Sequence, residues 1–146
     1  MWYNYCGDSM KKEKSCGCVV YKIIGEDIYF LIIKHLAGHY SFPKGHVESN
    51  ESEHDTALRE VKEETGFDIS FTGDFRDVIT YSPDSNTLKD VVFFLGCFSG
   101  GALSIQEEEV SFADWFDYDS AFNIITYNED RNVLKRAYNY IRENNL

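Results

Sequence analysis

Two runs in this chain, Ile28–Lys34 (IYFLIIK) and Lys89–Phe98 (KDVVFFLGCF), are apolar at nearly every position. A strand with one wet face alternates apolar and polar residues, and these do not. They therefore read as strands of a sheet covered on both faces, which requires a layer on each side. Cys16–Ile24 (CGCVVYKII) is rich in β-branched residues and joins Ile28–Lys34 through Gly25-Glu26-Asp27, so the two predict a hairpin. Two helices are available as covers. One follows Ser52 and carries Ala57, Leu58 and Val61; the other sets Leu134, Ala137, Tyr138 and Ile141 at i, i+3, i+4 and i+7. The pattern predicts an α/β/α sandwich around a central mixed β-sheet.

The remaining segments fit between these. Asp68–Thr72 and Asp74–Tyr81 read as two strands, Gly100-Gly101 as a turn into a short strand ending at Ile105, and Val110–Phe116 as a further strand. Asp119–Ile125 reads as a short helix, and Thr126 with Glu129 as a capping box for the last one. His35–Tyr40 reads as a loop.

A length of 146 residues suits one domain, taken as 15–146 behind a flexible extension over 1–14, and Met10 would itself make an ordinary start. A net charge of −11 argues against a long nucleic acid or an anionic membrane as partner. No apolar run is long enough to span a bilayer, and MWYNYCGDSM lacks the regions of a signal peptide. The expectation is a cytoplasmic protein, monomer or homodimer, acting on a small molecule. Cys16 and Cys18 share one strand face and read as small buried hydrophobes.

The stretch Gly45–Phe67 holds seven carboxylates. Ser52 is placed to cap its helix with Asp55 three residues on, and Gly66 to stop it. Glu60, Glu63 and Glu64 fall at i, i+3 and i+4, on one face. Like charges so spaced repel. Three carboxylates aimed one way suggest a cation between them, and hard oxygen ligands favour Mg²⁺ or Mn²⁺. Arg59 stands four residues before Glu63 and can steady it; Glu51 is placed to fold back from the preceding loop.

Gly45, five residues, Glu51, seven residues, Arg59-Glu60-Val61, one residue, Glu63-Glu64, one residue, Gly66-Phe67 resembles the complete Nudix box. The resemblance implies the Nudix fold and metal-dependent hydrolysis of a nucleoside diphosphate linked to another moiety. It implies Glu60, Glu63 and Glu64, with Arg59, as the catalytic group, and the same glutamates with the Gly45 carbonyl as metal ligands. Which glutamate is the base stays open.

Outside the box the chain is similar to the asymmetrical diadenosine tetraphosphate hydrolases. SFPKGHVE resembles their approach to the box. His39 and Lys44 resemble their phosphate-binding pair, Tyr81 and Lys89 their stacking tyrosine and phosphate-binding lysine, Glu109 a further metal ligand, and Tyr127 a second stacking ring. The loop between Tyr81 and Lys89 is one residue longer than theirs, and no histidine flanks Glu109. Without the resemblance, Tyr81 and Tyr127 are also ordinary rim aromatics, His39 a surface histidine, and Glu109 part of a solvated acidic loop. The implied reaction cleaves diadenosine tetraphosphate to ATP and AMP. Alternatives are a Nudix hydrolase of a nucleoside triphosphate, a nucleotide sugar or an RNA 5′ end, and a nucleotide-binding module without catalysis.

Overall fold

A computed structural model describes residues 10–146. Seven strands form one mixed sheet: β1 (Lys11–Ile24), β2 (Asp27–His35), β3 (Tyr40–Ser41), β4 (Lys44–His46), β5 (Phe67–Asp84), β6 (Thr87–Gly101) and β7 (Val110–Asp117). Among the described residues three helices accompany them: α1 (Glu53–Thr65), α2 (Tyr118–Ile124) and α3 (Asn128–Glu143). The main order is β3-β2-β1-β6-β5, with β4 on β1 and β7 on β2. Among the described strands only β1 and β6 run parallel, from Lys11 opposite Thr87 to Tyr21 opposite Cys97.

The two apolar runs are covered on both sides. Phe30, Ile32, Val91, Phe93 and Leu95 pack with Ala121, Val133, Leu134, Ala137 and Ile141 of α2 and α3. The alternate residues face α1: Leu31 and Ile33 join Val61, and Val92 and Phe94 join Ala57. Cys16 and Cys18 are fully buried on the α1 side, where burial pushes the Cys16 thiol up to about 11 and the Cys18 thiol well above its ordinary value. Neither is a reactive thiolate.

One departure from a plain sheet positions the site. The hairpin pairs β1 with β2 only from Tyr21 opposite Phe30 to Ile24 opposite Asp27. Beyond that the strands part. β4 takes the vacated edge of β1, with Cys16 opposite Gly45, and β3 takes that of β2, with Ile33 opposite Ser41. The segment Tyr40–His46 is thus wedged between two strands of the same hairpin. There is no room to spare: a Cβ on Gly17 would collide with the Pro43 carbonyl.

Several local expectations change. Residues 11–14, assigned to a flexible extension, extend β1 along β6; residues 1–9 lie outside the described part. The two strands expected over 68–81 are one, β5, broken in register between Phe71 and Arg76. β6 runs through Gly101, and no strand forms over 102–105. The Thr126–Glu129 box does not form: Tyr127 is the N-cap of α3 without a side-chain bond, and Thr126 Oγ1 instead accepts from the Tyr40 amide at 2.9 Å. That hydroxyl serves the wedge rather than the helix. The Ser52–Asp55 box of α1 is present in both directions, and Gly66 ends the helix at φ 81°, a conformation glycine adopts without strain.

Candidate active site

α1 carries its glutamates against the wedge. Oxygens of Glu60 and Glu64 lie within 4.8 Å of one another and of a Glu109 oxygen, which comes from the turn before β7. Glu60 and Glu64 are buried, and Glu109 is exposed. Burial, and then the neighbouring Glu60 charge, push the Glu64 carboxyl up to about 8. Burial also raises Glu60, against the pull of Arg59. Three carboxylates this close, two of them desolvated, are a site for positive charge. Gly45 fits the same purpose, since a Cβ there would run into the Glu60 carboxylate. The residues present therefore suit a hard divalent cation held by Glu60, Glu64 and Glu109.

Glu63 is held differently. It is more exposed than Glu60, and both its oxygens accept from Arg59 Nη1, at 3.0 and 3.1 Å. Arg59 is the hub of the segment. Its Nε and Nη2 donate to Glu51 at 2.6 and 2.9 Å, its Nη1 to Glu60 at 2.9 Å, and its Nη2 to the His46 carbonyl at 3.0 Å. Arg59 in turn draws the Glu51 carboxyl down to about 2. The guanidinium thus fixes the start of the box and two of its glutamates in one planar fan.

A cavity of about 420 Å³ opens on the other face of the sheet, toward α3. Its wall brings together His39, Lys44, Tyr81 and Tyr127, which are far apart in sequence. Ile79 and Val91, neighbours across β5 and β6, give it an apolar floor. Both tyrosine rings are about half exposed, at 43% and 52%, and so present faces to solvent. Lys89 lies opposite Tyr81 in the ladder and is buried, and burial followed by the Lys44 charge lowers its pKa; it does not itself line the cavity. Lys44 connects the two regions: its amide donates to Glu64 Oε1 at 3.1 Å, and its side chain enters the cavity.

Three groups at the cavity wall or directly behind it carried no functional signal in the sequence. His35 stacks beneath His39 with ring centres 4.3 Å apart, and His39 meets Tyr127 at 5.5 Å. Burial drives His35 down to about 3, and burial with the Lys44 charge lowers His39, so both rings are neutral at pH 7. Glu129 and Asp130, at the start of α3, also line the wall. Acids in the first turn of a helix are ordinary, so only their tertiary placement distinguishes them. His46 and His54 take no part: His46 offers its carbonyl to Arg59, and His54 stacks on Phe94 at 3.9 Å.

A family profile for the NUDIX domain matches residues 12–137. The chain belongs to the Nudix hydrolases. Among relatives, the asymmetrical bis(5′-nucleosyl)-tetraphosphatase of Sus scrofa is 26% identical over 140 residues, covering 88% of this chain and 95% of the relative. The NAD-capped RNA hydrolase NudC of Pasteurella multocida is 34% identical over 87 residues, covering 60% of this chain and 31% of that one. In fold, a C. elegans Ap4A hydrolase solved as a binary complex superposes with a TM-score of 0.82 at 24% identity, over 90% of this chain and 98% of its own. In this Nudix hydrolase the box supplies the Arg59 fan, Glu60 and Glu64. The opposite face supplies a cavity of the size that small ligands fill. No helix among the described residues is long and apolar enough to cross a membrane.

Proposed function

We propose that this Nudix hydrolase acts on dinucleoside polyphosphates, diadenosine tetraphosphate first, and cleaves them asymmetrically to ATP and AMP. The observation that carries this reading is the double placement of Lys44, bonded through its amide to the carboxylate cluster and lining with its side chain a cavity that also holds two tyrosine faces. A polyphosphate attached to a base needs such a layout, with cation sites for the chain next to an aromatic slot for the base.

Glu60, Glu64 and Glu109 would hold Mg²⁺ or Mn²⁺, which neutralises phosphate charge and acidifies water. Arg59 keeps Glu60 and Glu63 in place. Lys44 and Lys89 offset the charge of the phosphate chain, and neutral His39 offers it an N–H donor. Tyr81 and Tyr127 stack on one adenine. In the reaction a water oxygen bonds to phosphorus as an anhydride P–O bond breaks, and a site carboxylate accepts the water proton. The stacked base sets how far along the chain this occurs, so an off-centre linkage is cut. The relative named a tetraphosphatase supports the substrate; the relative named NudC supports a second reading, in which the linked moiety is an RNA 5′ end.

The deciding experiment incubates the protein with Mg²⁺ and a panel of diadenosine tetraphosphate, nucleoside triphosphates, nucleotide sugars and capped RNA, and resolves the products by chromatography. ATP plus AMP, at the highest kcat/KM of the panel, supports the proposal. Two ADP, or a faster competitor, overturns it.

A further inference from the structure

Glu129 and Asp130 do not suit a phosphate chain, whose charge they would repel. Their end of the cavity is fit for the uncharged part of a nucleotide. Asp130 is 5% exposed, and its Oδ2 accepts from Ser41 Oγ at 2.9 Å, which fixes the carboxylate plane. Among the described residues its Oδ1 has no hydrogen-bond partner, and that atom is not sealed from solvent. The residue lines the cavity, so a ligand there can supply the missing donor. A ligand that shuts water out of this corner without giving the oxygen a donor leaves it unsatisfied, which is costly, so the site disfavours ligands that fail to provide one.

The position also says which part of a nucleotide it meets. Asp130 and Tyr81 line the same cavity, Asp130 from the first turn of α3 and Tyr81 from β5. A base laid on the Tyr81 ring turns its edge, not its face, to the remaining wall. We propose that Asp130 is a specificity-determining residue whose free oxygen accepts a hydrogen bond from the exocyclic 6-amino group of a purine stacked on Tyr81. The site then takes 6-aminopurine nucleotides over 6-oxopurine ones, which turn an acceptor toward the carboxylate. This rests on the stacking role given to Tyr81 above.

The test compares diadenosine and diinosine tetraphosphate in steady-state kinetics with Mg²⁺. The native protein should favour the adenosine substrate by about 10–100-fold in kcat/KM. Asp130→Ala should bring that ratio close to one. Asp130→Asn, which keeps the side-chain shape and a partner for Ser41, should do the same with an unchanged melting temperature. An absent preference in the native protein, or an unaltered ratio in both variants, overturns the proposal. So does a penalty on 2′-deoxyadenosine substrates that Asp130→Asn abolishes, because the carboxylate would then serve the ribose. Tyr81→Ala separates the two layers of the argument. If it raises KM for both substrates while position 130 leaves the ratio untouched, only the assignment of Asp130 fails; if it changes neither KM, the stacking role fails and this inference with it.

Discussion

The Lys44 amide donates to Glu64 Oε1 at 3.1 Å, while the side chain of the same residue lines the cavity on the opposite face of the sheet. Backbone and side chain of one residue therefore address two sites. Lys44 has this reach because β4 lies within the sheet itself, inside the β1–β2 wedge and so between the two faces.

Glu64 is the most deeply buried member of the carboxylate cluster, 1% exposed against 7% for Glu60, so its charge matters most to the reaction. Glu64→Gln should lower kcat by about 10²–10⁴-fold with diadenosine tetraphosphate and leave far-UV circular dichroism unchanged. Lys62→Gln, on the exposed side of the same helix, should leave kcat within about twofold. Full turnover of the native protein in excess EDTA would contradict the role given to the cluster.

Glu109 reaches Glu60 and Glu64 from a turn, whereas its neighbour Glu107 is not part of the cluster. Glu109→Gln should raise the Mg²⁺ concentration for half-maximal rate by about 10–100-fold. Glu107→Gln should not. Equal small effects would mean that the turn is merely acidic.

The cluster also makes a statement about stability without metal. Glu64 has a folded-state pKa near 8 against an ordinary 4.5, so between those values the folded protein holds a proton that the unfolded chain releases. Stability is then fullest below about pH 4.5 as far as this group is concerned, and falls as pH rises toward 8. The slope from one such group is at most about 1.4 kcal/mol per pH unit. Melting of EDTA-treated protein from pH 5.5 to 8 should show the decline. Glu64→Gln should flatten it, and saturating Mg²⁺ should oppose it.

Tyr81 offers a half-exposed face to a base. Its removal should cost about 1–3 kcal/mol of stacking, seen as a rise in KM of about 5–150-fold with a smaller change in kcat. Kinetics of Tyr81→Ala on diadenosine tetraphosphate read this directly. A drop in kcat alone would assign the ring to the chemistry rather than to the base.

Arg59 touches Glu51, Glu60, Glu63 and the His46 carbonyl through one planar group. Lysine has neither the fork nor the number of donors. Arg59→Lys should therefore lower both melting temperature and kcat, although it keeps the charge. Native melting temperature and kcat in Arg59→Lys would show that the charge alone was needed.

What could be read in the sequence was local or periodic. The doubly apolar runs gave the covered sheet, and the spacing within Gly45–Phe67 gave α1, its caps and the Arg59–Glu63 contact, all within a few turns. Helical spacing alone suggested that Glu60, Glu63 and Glu64 act as one face. In the fold, Glu60 and Glu64 converge with Glu109 while Arg59 draws Glu63 aside, a division that depends on side-chain partners rather than on spacing. β3 and β4 are two and three residues long, too short to show a period, so the wedge that sets the site was hidden. His35 and Asp130 escaped for a related reason, since nothing near them in sequence says that His35 stacks behind His39 or that the start of α3 closes the same cavity.

The parallel pairing of β1 with β6 has a consequence for how the site comes into being. Each β1 residue from Lys11 to Tyr21 meets one 76 positions later, and β4 docks on β1 through the same Cys16 that pairs with Val92. Pairings so distant in sequence form slowly, because a long loop must close before they gain anything. The helix with its glutamates can form early from local signals, but the wall that Gly45 and Lys44 present to it depends on that late closure. A metal ion would therefore find its full set of partners only in a chain that has nearly finished folding, and would act as a lock on the completed structure rather than as a template for it.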